Sequence, residues 1–142
     1  MLDQWIGFSL GGERYVHSVE VVKEVLPFSE VFPVPGAPPE IMGIVNIRGE
    51  VVTIVSGHQL LTLMKPDKGS NLFILVLELD IGLWGVVVDA VTEIASFDSQ
   101  SIEPAPETSQ KAEVIRGMVY KDNLLHIVAD FTPRCSVLSQ QI

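Results

Sequence analysis

The chain repeats itself. Laying "FSLGGERYVHSVEVVKEV" (8–25) over "LELDIGLWGVVVDAVTEI" (77–94) without gaps puts Leu10 on Leu79, Tyr15 on Trp84, Val19 on Val88 and Glu20 on Asp89. Val22, Glu24 and Val25 then fall on Val91, Glu93 and Ile94. After a loop that is longer in the second copy, "IMGIVNIRGEVVTIVS" (41–56) lies over "IRGMVYKDNLLHIVAD" (115–130), with Ile41, Gly43 and Val45 on Ile115, Gly117 and Val119. Each copy reads hairpin, Val-x-Glu-Val/Ile, proline-containing loop, Ile-x-Gly hairpin. A length of 142 residues suits one domain. Two such copies therefore imply two small similar β subdomains, over about 8–64 and 71–131, that are free to exchange strands. A cleft should lie between them, and binding sites favour such seams.

The local signals are those of short strands with turn punctuation, so the expectation is an all-β fold with at most short helices. Gly11-Gly12 and Asp122-Asn123 each sit between apolar runs, as hairpin turns do. In "SVEVVKEVLP" the spacing of Val19, Val22 and Val25 fits either a short helical turn or an irregular strand. Prolines 27, 33, 35, 38 and 39 lack the donor that a sheet ladder needs, so this stretch reads as an extended surface loop. Polar turn segments follow at "MKPDKGSN" and in the proline-containing "ASFDSQSIEPAPETSQKAE". The closing residues 132–142, "TPRCSVLSQQI", read as a tail without a clear amphipathic helix.

Composition narrows the function classes. The net charge of −9, with nine scattered Lys and Arg and no basic stripe, argues against nucleic acid and anionic lipid. No window approaches the roughly 18 uninterrupted apolar residues of a membrane span, and "MLDQWIGFSL" has no basic start to make it a secretory signal. The single Cys135 excludes an intramolecular disulfide and a cysteine metal cluster, and fits a reducing cytoplasm. At 47% hydrophobic and only 19% charged, the chain has apolar surface to offer partners or a large core to fill.

No catalytic constellation stands out. His17, His58 and His126 are isolated in sequence, without metal-ligand spacing, so no metal or cofactor is expected. His126 within "NLLHIVADF" reads as a satisfied strand histidine. Asp89 in "GVVVDAV" reads as a strand-end carboxylate capping a turn more readily than as a catalytic acid. Glu20 and Glu24 form either a solvated face or an electrostatic guide for a basic partner. Arg48, clustered with Asn46, Gly49 and Glu50, either contacts a partner or pairs inside the protein. Arginine suits the former because its planar fork makes several hydrogen bonds while its stem packs on apolar surface.

The stretches "FSLGGERYVHSVEVVKEVL", "FPVPGAPPEIMGIVNIRGEVVTIV", "LWGVVVDAVTEIASFDSQSIEPAP" and "IRGMVYKDNLLHIVADF" together resemble the CheW family, adaptors of bacterial chemosensory arrays. The most specific part is Pro-x-x-Ile-x-Gly-x-x-Asn-Ile-Arg-Gly, and the likeness runs from about Phe8 to Phe131. It implies two SH3-like five-stranded barrels with a third core between them. It also implies a non-catalytic adaptor joining the regulatory domain of a CheA-type histidine kinase to the cytoplasmic tip of a methyl-accepting chemoreceptor. The receptor groove would involve Val22, Glu24, Gly43 and Arg48, with Val87 and Val88 lining it and Asn46, Gly49 and Asp89 in support. This chain departs from the family at Thr53-Ile54-Val55-Ser56-Gly57-His58, where Pro-Val-Ile-Asp-Leu-Arg is usual; Gly57 would loosen a strand end. A divergent paralogue of a pilus-motility or other pathway that keeps one partner fits these residues too. A β module binding a small ligand in the cleft is the alternative of another class.

Overall fold

The computed structural model describes residues 2–64, 66, 69–105 and 113–142. Residues 65, 67 and 68 of the first polar turn segment and 106–112 of the second proline-containing loop lie outside the described residues. Eleven strands dominate: β1 (Asp3–Leu10), β2 (Glu13–Ser18), β3 (Val22–Pro27), β4 (Ile41–Ile47), β5 (Glu50–Ser56), β6 (Phe73–Leu79), β7 (Gly82–Val88), β8 (Ala90–Phe97), β9 (Glu103–Pro104), β10 (Ile115–Lys121) and β11 (Leu124–Ala129). Two short helices follow β5 and β11: α1 (Gly57–Leu60) and α2 (Thr132–Ser139). The valine stretch after β2 resolves as both of its readings, a 3-10 turn over Val19–Val21 running into the strand β3. No helix among the described residues is long and apolar enough to cross a membrane.

The strands form a six-stranded sheet, β8-β1-β2-β11-β10-β9, and a five-stranded sheet, β3-β6-β7-β5-β4; the sixth strand, β9, is only two residues long. Neither sheet follows one half of the chain. Each keeps the third strand and the last hairpin of one half, and takes its first hairpin from the other. Thus β1–β2 pairs with β8 and, in parallel, with β11, while β6–β7 pairs with β3 and, in parallel, with β5. The repeat survives in detail. A register shift occurs at Ile41/Gly43 and again at Ile115/Gly117. At each of these glycines another segment crosses: Phe32 bridges Ile44, and β9 pairs with Gly117 and Met118. A Cβ on either glycine would run into the backbone of the crossing segment, at Phe32 or at Glu103.

Three apolar cores result. Val45, Val52, Ile54, Ile74, Val76 and Val87 fill the five-stranded barrel. Trp5, Val16, Phe97, Val119 and Val128 fill the six-stranded one, where Trp5 stacks on Phe97 at 4.6 Å and donates its indole N–H to the Phe97 carbonyl. Between them lies the largest core, built from Phe8, Leu10 and Tyr15 of one sheet and Leu75, Leu77, Trp84 and Val86 of the other. Alternation along the strands makes this possible: Val86 and Val88 face the shared core while Val87 faces the barrel interior.

The third side of the shared core is α2, which corrects the reading of residues 132–142 as a tail. Phe131, Cys135 and Leu138 recur at helical spacing and are fully buried. The signal is weak in sequence because proline, serine and cysteine occupy the helix. Pro133 is tolerated because it stands in the first turn, where its missing N–H has no intrahelical acceptor to lose.

Candidate functional site

The turn between β4 and β5 is made by Arg48 (φ 50°) and Gly49 (φ 85°), two successive positive φ values that suit a tight hairpin. Asn46 holds it: its side-chain oxygen accepts the Gly49 N–H at 2.9 Å. The turn carries the tip of β4, one outer strand of the five-stranded sheet, up to β3, the other outer strand. No strand ladder joins these two edges among the described residues. Side chains close the gap. Arg48 pairs with Glu24 of β3, and Lys23 of β3 reaches Glu50 at the start of β5 at 3.3 Å. The six-stranded barrel is closed at the equivalent corner, where Lys121 of β10 donates to the Ser96 carbonyl of β8. Arg48 thus has the internal partner that sequence reasoning held as its second role. Its side chain remains 67% exposed.

The other motif residues separate. Gly43 serves its own chain, since the close approach there is made by the Phe32–Pro33 backbone. Val88 is fully buried in the shared core and offers no surface, and Val22 packs partly buried against that same core. Val87 is equally buried, inside the five-stranded barrel. Beside it lies a groove of about 310 Å³ lined also by Pro39, Met42, Leu72, Ser56 and His58. Its walls are mostly apolar, and residues of both halves form them.

Asp89 stands where the chain leaves the five-stranded sheet for the six-stranded one. One carboxylate oxygen accepts the Gly11 N–H at 2.8 Å, and the other lies 2.9 Å from His58 Nε2. Its own N–H donates to the Ser9 carbonyl at 3.0 Å. The residue therefore caps the hairpin turn of the opposite half and anchors a buried histidine. His58 and Asp89 had each been singled out in sequence, but nothing there linked positions in different halves. The departure around Ser56 costs less than its sequence suggests. The Ser56 hydroxyl accepts the Gln59 N–H and starts α1. Gly57 does not loosen the strand end: a Cβ there would sit 2.5 Å from the Val87 carbonyl oxygen, so the glycine permits close packing.

Among the described residues no three His, Cys, Asp or Glu side chains converge for a metal. No buried side-chain nitrogen or oxygen among them lacks a hydrogen-bond partner. His126 lies buried on β11. Burial pushes the Cys135 thiol up to about 12, the opposite of an activated nucleophile. What the surface presents is an apolar groove and, on the same barrel, a charged hairpin corner.

A model of the CheW-like domain matches residues 4–132. The chain is 28% identical over 134 residues to the chemotaxis protein CheW of Treponema pallidum (strain Nichols), covering 89% of this chain and 78% of that one. It is 30% identical over 112 residues to chemotaxis protein CheW of Bacillus subtilis (strain 168), covering 77% and 70%. The crystal structure of the scaffolding protein TtCheW from Thermoanaerobacter tengcongensis superposes with a TM-score of 0.84 at 27% identity, over 93% of this chain and 91% of that one. The chain belongs to the CheW family, and its two sheets are the two SH3-like subdomains of that fold.

Proposed function

We propose that this chain is a non-catalytic adaptor that couples chemoreceptors to a CheA-type histidine kinase in a bacterial chemosensory array, working in the cytoplasm. The observation that supports this most is the likeness to the scaffolding protein TtCheW along nearly the whole chain, both barrels included. In this reading the groove beside Val87 receives the apolar face of a helix from the receptor's cytoplasmic tip. Met42 and Leu72 supply buried area, and the outward face of Arg48 with Glu24 sets the helix register through charge. The kinase's regulatory domain binds elsewhere on the barrels, so that one adaptor holds both.

Calorimetric titration of the receptor-tip fragment into wild type and Met42→Asp tests the groove. Wild type should bind and Met42→Asp should bind at least about tenfold more weakly, since a carboxylate would be desolvated against an apolar helix. Equal binding by the two would remove the groove from the receptor contact. Kinase binding retained by a wild type that ignores receptor tips would identify a paralogue with a single partner.

A further inference from the structure

The inference concerns α2 and does not depend on the receptor reading. His17, on β2, is only 2% exposed, and both ring nitrogens are engaged. Nε2 accepts the backbone N–H of Phe131 at 3.1 Å, and Nδ1 lies 3.0 Å from the Ser18 carbonyl oxygen. Since Nε2 is the acceptor, the ring proton belongs on Nδ1, where it is donated to Ser18. The imidazole also stacks on the Phe131 ring at 5.6 Å. Phe131 is the residue from which α2 starts, and it has no side-chain cap of its own. The first turn is held at Phe131 by His17, at Thr132 by its N–H to the neighbouring Asp130 carboxylate at 3.0 Å, and at Arg134 by Glu40.

We propose that His17 is an acid-sensitive clasp on the C-terminal helix, and that protonating it unfastens α2 from the shared core. A protonated Nε2 becomes a donor and meets the Phe131 N–H donor to donor. The imidazolium has a carboxylate to turn to, Asp130, 3.7 Å from Nε2. Turning to it means releasing Phe131, and it draws Asp130 from the Thr132 N–H as well. Either rearrangement loosens the same turn.

The other charged groups around the ring are Glu20 of the 3-10 turn and Arg116 of β10, which line one cleft of about 230 Å³ with His17 and Asp130. Asp130 favours the imidazolium only in part, because its side chain is 42% exposed and screened by water. Burial outweighs both the Ser18 carbonyl and Asp130, and holds the His17 pKa below its ordinary value. The imidazolium is therefore accommodated better when α2 has lifted and water reaches the ring.

Cys135, the only cysteine, lies on the buried face of α2 and reports on this opening. The experiment measures labelling of Cys135 in the full chain by 4,4′-dithiodipyridine, divided by the rate of the urea-unfolded chain at each pH. If the opened ring titrates near its ordinary value of about 6.5, the ratio should rise about tenfold between pH 7.5 and 5.5. In His17→Gln, which keeps an acceptor near Phe131 and does not titrate, the ratio should stay flat. An unchanged ratio in wild type overturns the proposal, as does the same rise in His17→Gln. So does labelling whose urea dependence equals that of global unfolding. If His17→Gln fails to fold, hydrogen exchange at the Phe131 and Cys135 amides of wild type decides. Protection corrected for intrinsic rates should fall about tenfold over the same range, and constant protection refutes the clasp.

Discussion

Replacing Arg48 by alanine separates its pairing with Glu24 from the docking role proposed for it. The internal role is small. Its partner Glu24 is 22% exposed but Arg48 itself is 67% exposed, so the ion pair lies largely in water. Such pairs contribute roughly 0–1 kcal/mol. The backbone adds little, because Arg48 already holds a φ of 50° without being glycine, and alanine would bear about the same strain. Lys23 with Glu50 would still bridge the barrel edges. The expected change is therefore at most about 1 kcal/mol, or a melting temperature lower by about 2–4 °C for a chain of this size. Docking should suffer more. A desolvated arginine in an interface is worth about 2 kcal/mol or more, a loss of roughly thirtyfold in affinity. Urea unfolding and receptor-tip calorimetry on the same preparation check both numbers, and Glu24→Ala with the double variant isolates the pair. A variant that loses several kcal/mol of stability would refute this reasoning, since the arginine would then be holding the barrel closed.

Three further outcomes are expected. Gly43→Ala should destabilise by about 1–3 kcal/mol in urea unfolding, because it combines a positive φ with a Cβ driven into the Phe32 backbone. Asp89→Ala should lower stability by a similar amount, roughly 1–3 kcal/mol, by leaving buried His58 without its carboxylate and Gly11 without its acceptor. Stability should also depend on pH through His17. Its folded pKa is depressed, so the unfolded chain binds more protons in acid. The contribution is complete above the unfolded value of about 6.5 and is lost as pH falls through the folded value. Urea midpoints between pH 8 and 5 should show this slope in wild type and a reduced one in His17→Gln.

Much of the architecture is legible because it is local. Gly11-Gly12 and Asp122-Asn123 make the turns their residue types announce, all four with positive φ. The proline-rich stretch after β3 is a loop that meets the sheet at the Phe32–Ile44 bridge and at the Glu40 carbonyl, which accepts the Ser56 N–H. The repeat is visible because both halves must solve the same problem, a strand crossing at an Ile-x-Gly bulge. The exchange of first hairpins between barrels is not legible. It rests on the parallel pairs β2–β11 and β5–β7, whose partners are far apart in sequence and carry no matching pattern. The candidate site divides in the same way. Glu24 and Arg48 meet, and Val87 borders a groove. Val87 and Val88 are both buried, because one step along a strand turns a side chain from one core to the other. Met42, Leu72 and the His58–Asp89 pair were missed because a groove wall and a staple between halves are properties of the assembled sheets.

The proposed adaptor role requires one molecule of this chain to hold a kinase to a receptor. The most direct measurement mixes receptor-bearing membranes, full-length CheA-type kinase and increasing amounts of this chain, and follows kinase sedimenting with the membranes. The prediction is that kinase sediments in proportion to added chain, and that Met42→Asp reduces this recruitment. Kinase remaining in the supernatant at saturating amounts of well-folded chain would contradict it.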